Sequence, residues 1–521
     1  MRDFLAEKRL LFVKTFSGEY PARIGRIRKS SPTRDFGERL FLMMDAEQIK
    51  EKFFTAFSDM ADFAVRELDF GERRLYIAYF VGFSSREYMN KYMIEPISRA
   101  IAAREADIPI SSLITNIKIE KLFDFSSAKD AVLAGNAVLF GDIREDVLGI
   151  SVFTKNDSGR STEEPDTENV IRGPHEGFTE SGENNVVLLR RRLHSEKLKR
   201  RSFTVGSISG TDVSVLYMEG IAREELVSLV CNRISGIETD AVLDSGYIEI
   251  YIQDGKAPFY PTVGNSERPD KVAAKLMEGR VAIVVDGSPV VLTAPYLFCE
   301  AFQVTEDYTK SPWYATFIRL LRFVSYTVAL YLPALFVALF VRHKDILPED
   351  LISSVSEARE NLPFSLFWEV LVIFLIFEAV REVGLRMPKA VGSAVGLVGS
   401  LILGDSAIKA GITSAPVLIV VALAAVCNFM IPPYMNTNIL YRFFMIVISG
   451  ALGLFGFFAA VALAAVRLCA KTSFGVPYLT PFAPIDPEGL KDFIYMAPIW
   501  KMKRLPISIV GKEIRRGRGR K

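Results

Sequence analysis

The residues best able to do chemistry in this chain are charges set inside an apolar run. Glu369, Glu378, Arg381 and Glu382 fall within or at the end of 363–383, PFSLFWEVLVIFLIFEAVREV. A charge at membrane depth costs about 3 kcal/mol or more, so such groups normally face a bundle interior or a water-filled path. Glu369 lies deeper and is the stronger functional candidate. Glu378 either faces such a path or pairs with Arg381 or Glu382 near the interface. The next segment, 388–405, is short and rich in small residues. Gly392, Gly396 and Gly399 follow i, i+4, i+7 and form one stripe that allows close helix–helix approach. Val391, Val395, Val398, Ile402 and Asp405 form a neighbouring stripe. Copies arranged in a ring would make an apolar constriction ending in carboxylates, a geometry that gates by dewetting and favours cations. Ordinary packing of a short helix is the simpler reading, and the sequence alone favours it.

Other chemistries lack their signatures. The chain has no GxxxxGK[ST], HExxH or GxSxG and no convincing acid–base carboxylate pair, so neither an enzyme nor a cofactor is expected. Three isolated histidines and four scattered cysteines without a CxxC suggest neither a metal site nor a disulfide framework.

Charge is distributed in two halves. Of 521 residues 24% are charged, but 363–466 hold only nine charged side chains, and 410–441 and 443–466 hold none. A soluble front and a membrane-embedded back follow, which excludes a purely soluble enzyme and a disordered scaffold. Apolar segments lie at 317–341, 363–383, 388–405, 413–431 and 438–467, with Pro333 expected to kink the first. Arg319 and Arg322 at the start of the first segment place that end inside. The last 21 residues carry nine Lys/Arg against one Glu and read as a cytoplasmic anchor on anionic lipid rather than a nucleic-acid site. Both ends inside require an even number of crossings, so one of five segments, 388–405 or 363–383, is expected not to cross fully. No run in the first 20 residues resembles a secretory signal, so the soluble front is expected in the cytoplasm.

The front reads as α+β, two diverged copies of one α/β unit. RRLYIAYFVGFS (72–83) and DVSVLYMEGI (212–221) are strands ending at Gly82 and Gly220, each followed by a helix. Helices before Gly135 and Gly279 lead into further strands, the latter pair forming a hairpin through a two-residue turn, Asp286-Gly287. The domains expected are a basic arm at 1–50, a first unit at 51–154, a charged linker at 155–200 and a second unit at 201–300. A helical membrane domain at 311–470 and a C-terminal segment at 471–521 follow. Composition favours a solvated linker; the alternative is a segment ordered by packing against another subunit, where Arg190-Arg191-Arg192 would pair with acidic neighbours. The 296–318 segment is the natural place for coupling between front and membrane domain.

Several stretches then carry a resemblance. EEPDTENVIRGPHEGFTES with LLRRRLHSEKL (164–198), FYPTVGNSERPDKVAAKLMEGRVAIVVDGSP, EARENLPFSLFWEVLVIFLIFEAVREVGLRMPKAVGSAVGLVGSLILGDSAIKAGITS and FGVPYLTPFAPID resemble the A subunits of GerA-type spore germination receptors, a family that includes the stage V sporulation AF protein. The match covers roughly residues 60–500. The resemblance implies a polytopic protein of the endospore inner membrane, a homo-oligomer resembling a pentameric ligand-gated channel for monovalent cations. It implies a transporter-like B subunit that binds the nutrient and a lipoprotein C subunit as companions, with 388–405 as the pore helix. Ile431-Pro432-Pro433-Tyr434, Asp405 and the basic tail depart from the pattern expected of relatives. A non-conducting scaffold or signal-transfer subunit and a secondary transporter are the competing readings.

Overall fold

The computed structural model describes residues 45–517 except 70–73, 103–107, 116–117, 144, 156–164, 166–167, 169, 171, 256–257, 361 and 387–403. Two α/β units come first. In the first, α1 (Ala46–Ala56) precedes the antiparallel pair β1 (Phe63–Asp69) and β2 (Arg74–Phe80). A helical stretch follows, from α2 (Arg86–Met89) through a π-helical turn (Asn90–Ile94) to α3 (Glu95–Ala102). Then come β3 (Ile119–Leu122), α4 (Phe125–Leu133), β4 (Ala137–Gly141) and β5 (Gly149–Val152). The sheet order is β1-β2-β4-β5-β3.

The second unit repeats that plan. α5 (Gly182–Arg192) precedes β6 (Leu198–Val205) and β7 (Thr211–Met218), followed by α6 (Glu224–Ser235), α7 (Ser245–Ile252), β8 (Gly264–Ser266), α8 (Pro269–Met277), β9 (Val281–Val285) and β10 (Val291–Ala294). Its order is β6-β7-β9-β10-β8, the same as the first. The punctuating glycines are equivalent in conformation. Gly82 and Gly220 both have φ +77°, and Gly135 and Gly279 have +91° and +88°. Only glycine adopts these left-handed values freely.

Strand alternation makes each sheet the middle of three layers. Tyr76, Ala78 and Phe80 face α1 and α4, while Leu75 and Ile77 face Met89, Met93 and Ile97. In the second unit Val213, Val215 and Tyr217 face α6 and α7, while Leu216 and Met218 face α5 and α8.

Three sequence expectations change here. The linker at 155–200 contains α5 and the start of β6, so the second unit begins near residue 182 rather than 201. The edge strands β1, β3 and β8 escape the reading because they are short or mixed in polarity, with much of β1 open to solvent. The Asp286-Gly287 hairpin exists, but its connection runs from 286 to 290 rather than two residues.

The helical region begins with α9 (Pro312–Arg342), which contains Pro333, then α10 (Glu349–Glu357), α11 (Leu366–Arg386), α12 (Ala415–Asn428) and α13 (Met435–Ala470). The stretches Pro312–Arg342 and Pro432–Ala470 are long and apolar enough to cross a membrane. The second is not one rod. Gly453 has φ 64° and ψ −145°, a glycine-only conformation inside α13. A straight 36-residue helix would be about 54 Å long. Instead Tyr434 and Lys471, at its two ends, both contact Tyr260. The chain therefore runs out from 435 to 452, turns at Gly453 and returns from 454 to 470. Each arm spans about 26 Å, close to the hydrocarbon thickness of a bilayer. The segment expected as one crossing at 438–467 is a helical hairpin, because a left-handed glycine cannot be told from a packing glycine by spacing. The far turn is clasped by α9: Arg342 Nη2 donates to Ala451 O (3.3 Å), and Leu454 N–H donates to His343 Nδ1 (3.4 Å).

Candidate functional site: the junction and the buried charges of the bundle

The near end of the bundle is joined to the second unit by a collar of aromatic rings and ion pairs. After β10 the chain makes two 3-10 turns, Phe298–Phe302 and Thr305–Thr309, and enters α9. Asp307 is buried and accepts from Arg319 Nε (3.0 Å) and from Arg322 Nη1 (2.7 Å) and Nη2 (3.0 Å). Arg319 also donates to Asp492 Oδ1 (2.8 Å) and to the carbonyls of Asp492 and Phe493 (3.0 Å each). Burial pushes the Asp492 carboxyl above its usual range, against the pull of Arg319, and Tyr308 OH donates to it (2.7 Å). Two carboxylates thus balance two guanidiniums, the condition for burying charge at tolerable cost. Arg319 and Arg322 at the start of α9 thus form a lock with Asp307 and Asp492 and are not loose interfacial charge.

Around the lock, rings from five parts of the chain converge. Tyr260 OH and Tyr326 OH lie 2.9 Å apart, Tyr434 OH donates to Phe298 O (3.0 Å), and Tyr434 stacks on Phe298 (5.4 Å, 19°). Tyr478 completes the group, 3.1 Å from Tyr434 OH. Buried rings of this kind add packing energy, and each hydroxyl still needs a partner. No motif announces them, since they are far apart in sequence. The short strings FYP, YLF, PPY and PY were the available signal.

The C-terminal segment is a strap across the junction. Ser473 Oγ donates to Thr262 O (2.7 Å) and accepts from Tyr296 N–H (3.1 Å). Met496 N–H donates to Thr316 Oγ1 (3.1 Å) on α9. Arg223 donates to Ile509 O (2.7 Å) and Ser508 O (3.0 Å), and Arg516 pairs with Glu278. Part of the tail expected to lie on lipid therefore packs on the second unit, because that unit offers it a carboxylate.

The two units are held together by α5. Arg190 is buried and donates to both oxygens of Asp62 (2.6 and 2.7 Å), with its guanidinium 4.3 Å from the Phe80 ring centre. Arg192 pairs with Glu176 (2.7 Å). The arginine run does meet acidic neighbours, within its own chain.

Within the bundle, Glu369 sits in the first turn of α11, since that helix starts at Leu366. Its carboxylate accepts from Arg359 Nε (2.8 Å), Thr413 Oγ1 (3.1 Å), Ser414 N–H (2.7 Å) and Ser414 Oγ (2.7 Å). It ties the starts of α11 and α12 together at the far end, so those two helices run parallel. Glu378 is the deeper of the two. It pairs with Arg381 (2.8 Å) and lies 3.7 Å from Arg442, which donates to Ala329 O (2.7 Å) and packs on Phe374. Sequence reasoning passed over Arg442, although it is the lone charge in 410–466. Glu382 pairs with Arg386 (2.8 Å), and Asp405 pairs with Lys409 (2.6 Å), both exposed. Val391, Gly392, Val395, Gly396, Val398, Gly399 and Ile402 lie outside the described residues. Among the described residues no His, Cys, Asp and Glu cluster could hold a metal.

A tandem α/β head is thus locked onto an apolar helical bundle in which two stretches are long and apolar enough to cross a membrane. The family model described as Bacillus/Clostridium GerA spore germination protein matches residues 49–508. The chain belongs to that family. It is 38% identical over 454 residues to an uncharacterised membrane protein, YfkQ, of Bacillus subtilis, covering 86% of this chain and 88% of the relative. It is 35% identical over 473 residues to spore germination protein KA of the same organism, covering 88% and 86%. Spore germination protein GerLA of Bacillus cereus is 34% identical over 439 residues, covering 83% and 89%. Among solved structures, the N-terminal domain of the A subunit of the Bacillus megaterium spore germinant receptor GerK3 aligns at 25% identity with a TM-score of 0.37, over 49% of this chain and 96% of that one.

Proposed function

We propose that the chain is the A-type membrane subunit of a nutrient-responsive germinant receptor. It assembles with copies of itself, in a pentamer-like ring, into a gated channel for monovalent cations. It acts without catalysis, in the inner membrane of the spore, with head and tail cytoplasmic. A transporter-like B subunit senses the germinant, and a lipoprotein C subunit accompanies it. The observation that carries this reading is the junction: Asp307 joins the segment leaving the second unit to Arg319 and Arg322 of α9, so a tilt of the head is passed to the bundle. The channel part rests on the Val391–Val395–Val398–Ile402 stripe and on the parallel course of α11 and α12, with 388–405 as the crossing that lines the pore. Together with the hairpin at Gly453 that crossing gives an even number, as two inside ends require.

Liposomes holding the purified A, B and C subunits test the proposal. Germinant-dependent potassium flux is expected, and Val398→Ala is expected to leak without germinant. Intact assembly with no flux in either case would leave the scaffold reading in its place.

A further inference from the structure

We infer that the first α/β unit carries a binding site for a small organic carboxylate, in the cleft between its edge strand β1 and the helical stretch 86–94. A cavity of about 230 Å³ opens there. That is many times the ~10–15 Å³ a single water needs and leaves room for a small metabolite. Its floor is apolar, made by Ile77, Met89 and Ile94, and its polar lining is Arg66, Arg86, Tyr79 and Asn90. Among the described residues no carboxylate lines it, so the cleft favours an anion over a zwitterion or a cation.

The fold explains why the cleft exists. Arg66 stands directly across from Ile77 in the β1–β2 register and so shares its sheet face. Met89, Met93 and Ile97 cover the Leu75–Ile77 part of that face. β1 is the outermost strand, and its Arg66 side is left open. The helix over the cleft is irregular at this point: Asn90–Ile94 is a π turn, and both its end residues line the cavity. Such turns are rare and recur at functional sites.

The second unit shows what chemistry this seat takes. Gly82 and Gly220 bring Ile77 and Tyr79 into equivalence with Val215 and Tyr217. The strand register then makes Arg201, across from Val215, the counterpart of Arg66. Arg201 lies over Tyr217, 5.6 Å from the ring centre, and its guanidinium is met by the Asp59 carboxylate at 3.5 Å. The equivalent guanidinium in the first unit, like that of Arg86, has no ion pair or hydrogen bond among the described residues. The repeat thus holds one arginine–tyrosine seat filled by a carboxylate of this chain and one that is free. The free one adds a second arginine and an apolar floor, which suit a carboxylate with a compact aliphatic body.

The test is equilibrium dialysis of the full-length protein in detergent against labelled 4-methylpentanoate, with 4-methylpentanamide as the uncharged control. Saturable binding of one equivalent per chain is expected, with no competition from the amide. Arg66→Gln and Arg86→Gln are each expected to weaken it by about tenfold or more. Arg201→Gln, at the filled seat, is expected to leave it unchanged. Absence of saturable binding up to about 10 mM, well above a 1 mM dissociation constant, would overturn the inference. So would binding that survives both Arg66→Gln and Arg86→Gln in protein whose circular dichroism melt is unaltered.

Discussion

The two α/β units share strand order, helix order and the conformations of their punctuating glycines, yet they are attached to the molecule in different ways. The second unit is built into the bundle. Tyr260, Phe298 and Asp307 pass from it, or from the chain leaving it, into contacts with α9 and α13, and the C-terminal strap crosses it. The first unit is held through α5 and the turn at 58–62, chiefly by Arg190 on Asp62 and by Lys199 Nζ donating to Ser58 O (2.7 Å). Its opposite side keeps an open cleft. One fold thus serves as a fixed coupling block and as a lever carried on that block. The difference lies in which side chains project from equivalent strands, since the backbones are alike.

The strongest way to break this arrangement is at the junction. Asp307→Ala removes the carboxylate shared by Arg319 and Arg322, leaving buried guanidinium donors short of a partner. The expected cost is about 3–5 kcal/mol. The second unit and the bundle should then melt separately, which calorimetry on the detergent-solubilised protein would show. A single unaltered transition would mean that the aromatic collar alone couples the two parts. Arg190→Ala comes next, at about 3 kcal/mol, because it strands Asp62 in a dry interface. Here the first unit is expected to loosen while the junction stays intact. Hydrogen exchange should quicken in 46–152 and not in 298–326. Equal quickening in both would deny that the units are held independently.

Gly453→Ala probes the bundle without touching either unit. The turn needs φ 64°, and a Cβ there would stand 2.5 Å from His343 Cε1. A cost of about 2–3 kcal/mol is expected from backbone strain and the clash. A distance measured between spin labels at the two ends of α13 should lengthen if the hairpin opens. An unchanged short distance together with unchanged stability would show that the turn tolerates a side chain.

How much of this was visible in the sequence follows from what each feature depends on. The repeat was legible because it rests on local signals: the buried strands β2, β4, β7 and β9, and glycines at left-handed positions. The edge strands β1 and β8 were not, since a strand exposed on one side loses its apolar run. Arg190 was noticed as part of a charge run, but its partner Asp62 lies more than a hundred residues earlier, and no local rule connects them. Glu378 was recognised as costly to bury. What stabilises it is partly Arg442, from a helix two segments later. The collar of Tyr260, Tyr326, Tyr434 and Tyr478 was invisible for the same reason, because each ring alone looks like ordinary core. The hairpin at Gly453 was hidden by its own composition, since both arms and the turn are apolar.

The smallest effect sharpens the comparison most directly, because it uses matched positions. Gly82 and Gly220 have the same φ of +77°, so an alanine at either pays the same backbone strain, about 1–2 kcal/mol. The surroundings differ. A Cβ on Gly220 would meet nothing within 4 Å, whereas one on Gly82 would stand 2.6 Å from Glu183 Cγ, in the first turn of α5. Gly220→Ala is therefore expected to show the strain alone. Gly82→Ala adds the displacement of a flexible side chain at the contact between the units, roughly a further 0.5–1 kcal/mol. Thermal melts of the two variants side by side measure the difference. If they shift equally, Glu183 swings away freely and contributes little to holding the first unit. If Gly82→Ala shifts further, and adding Glu183→Ala to it removes the excess, the helix α5 is fitted against the first unit at that point and the lever has a second contact beside Arg190.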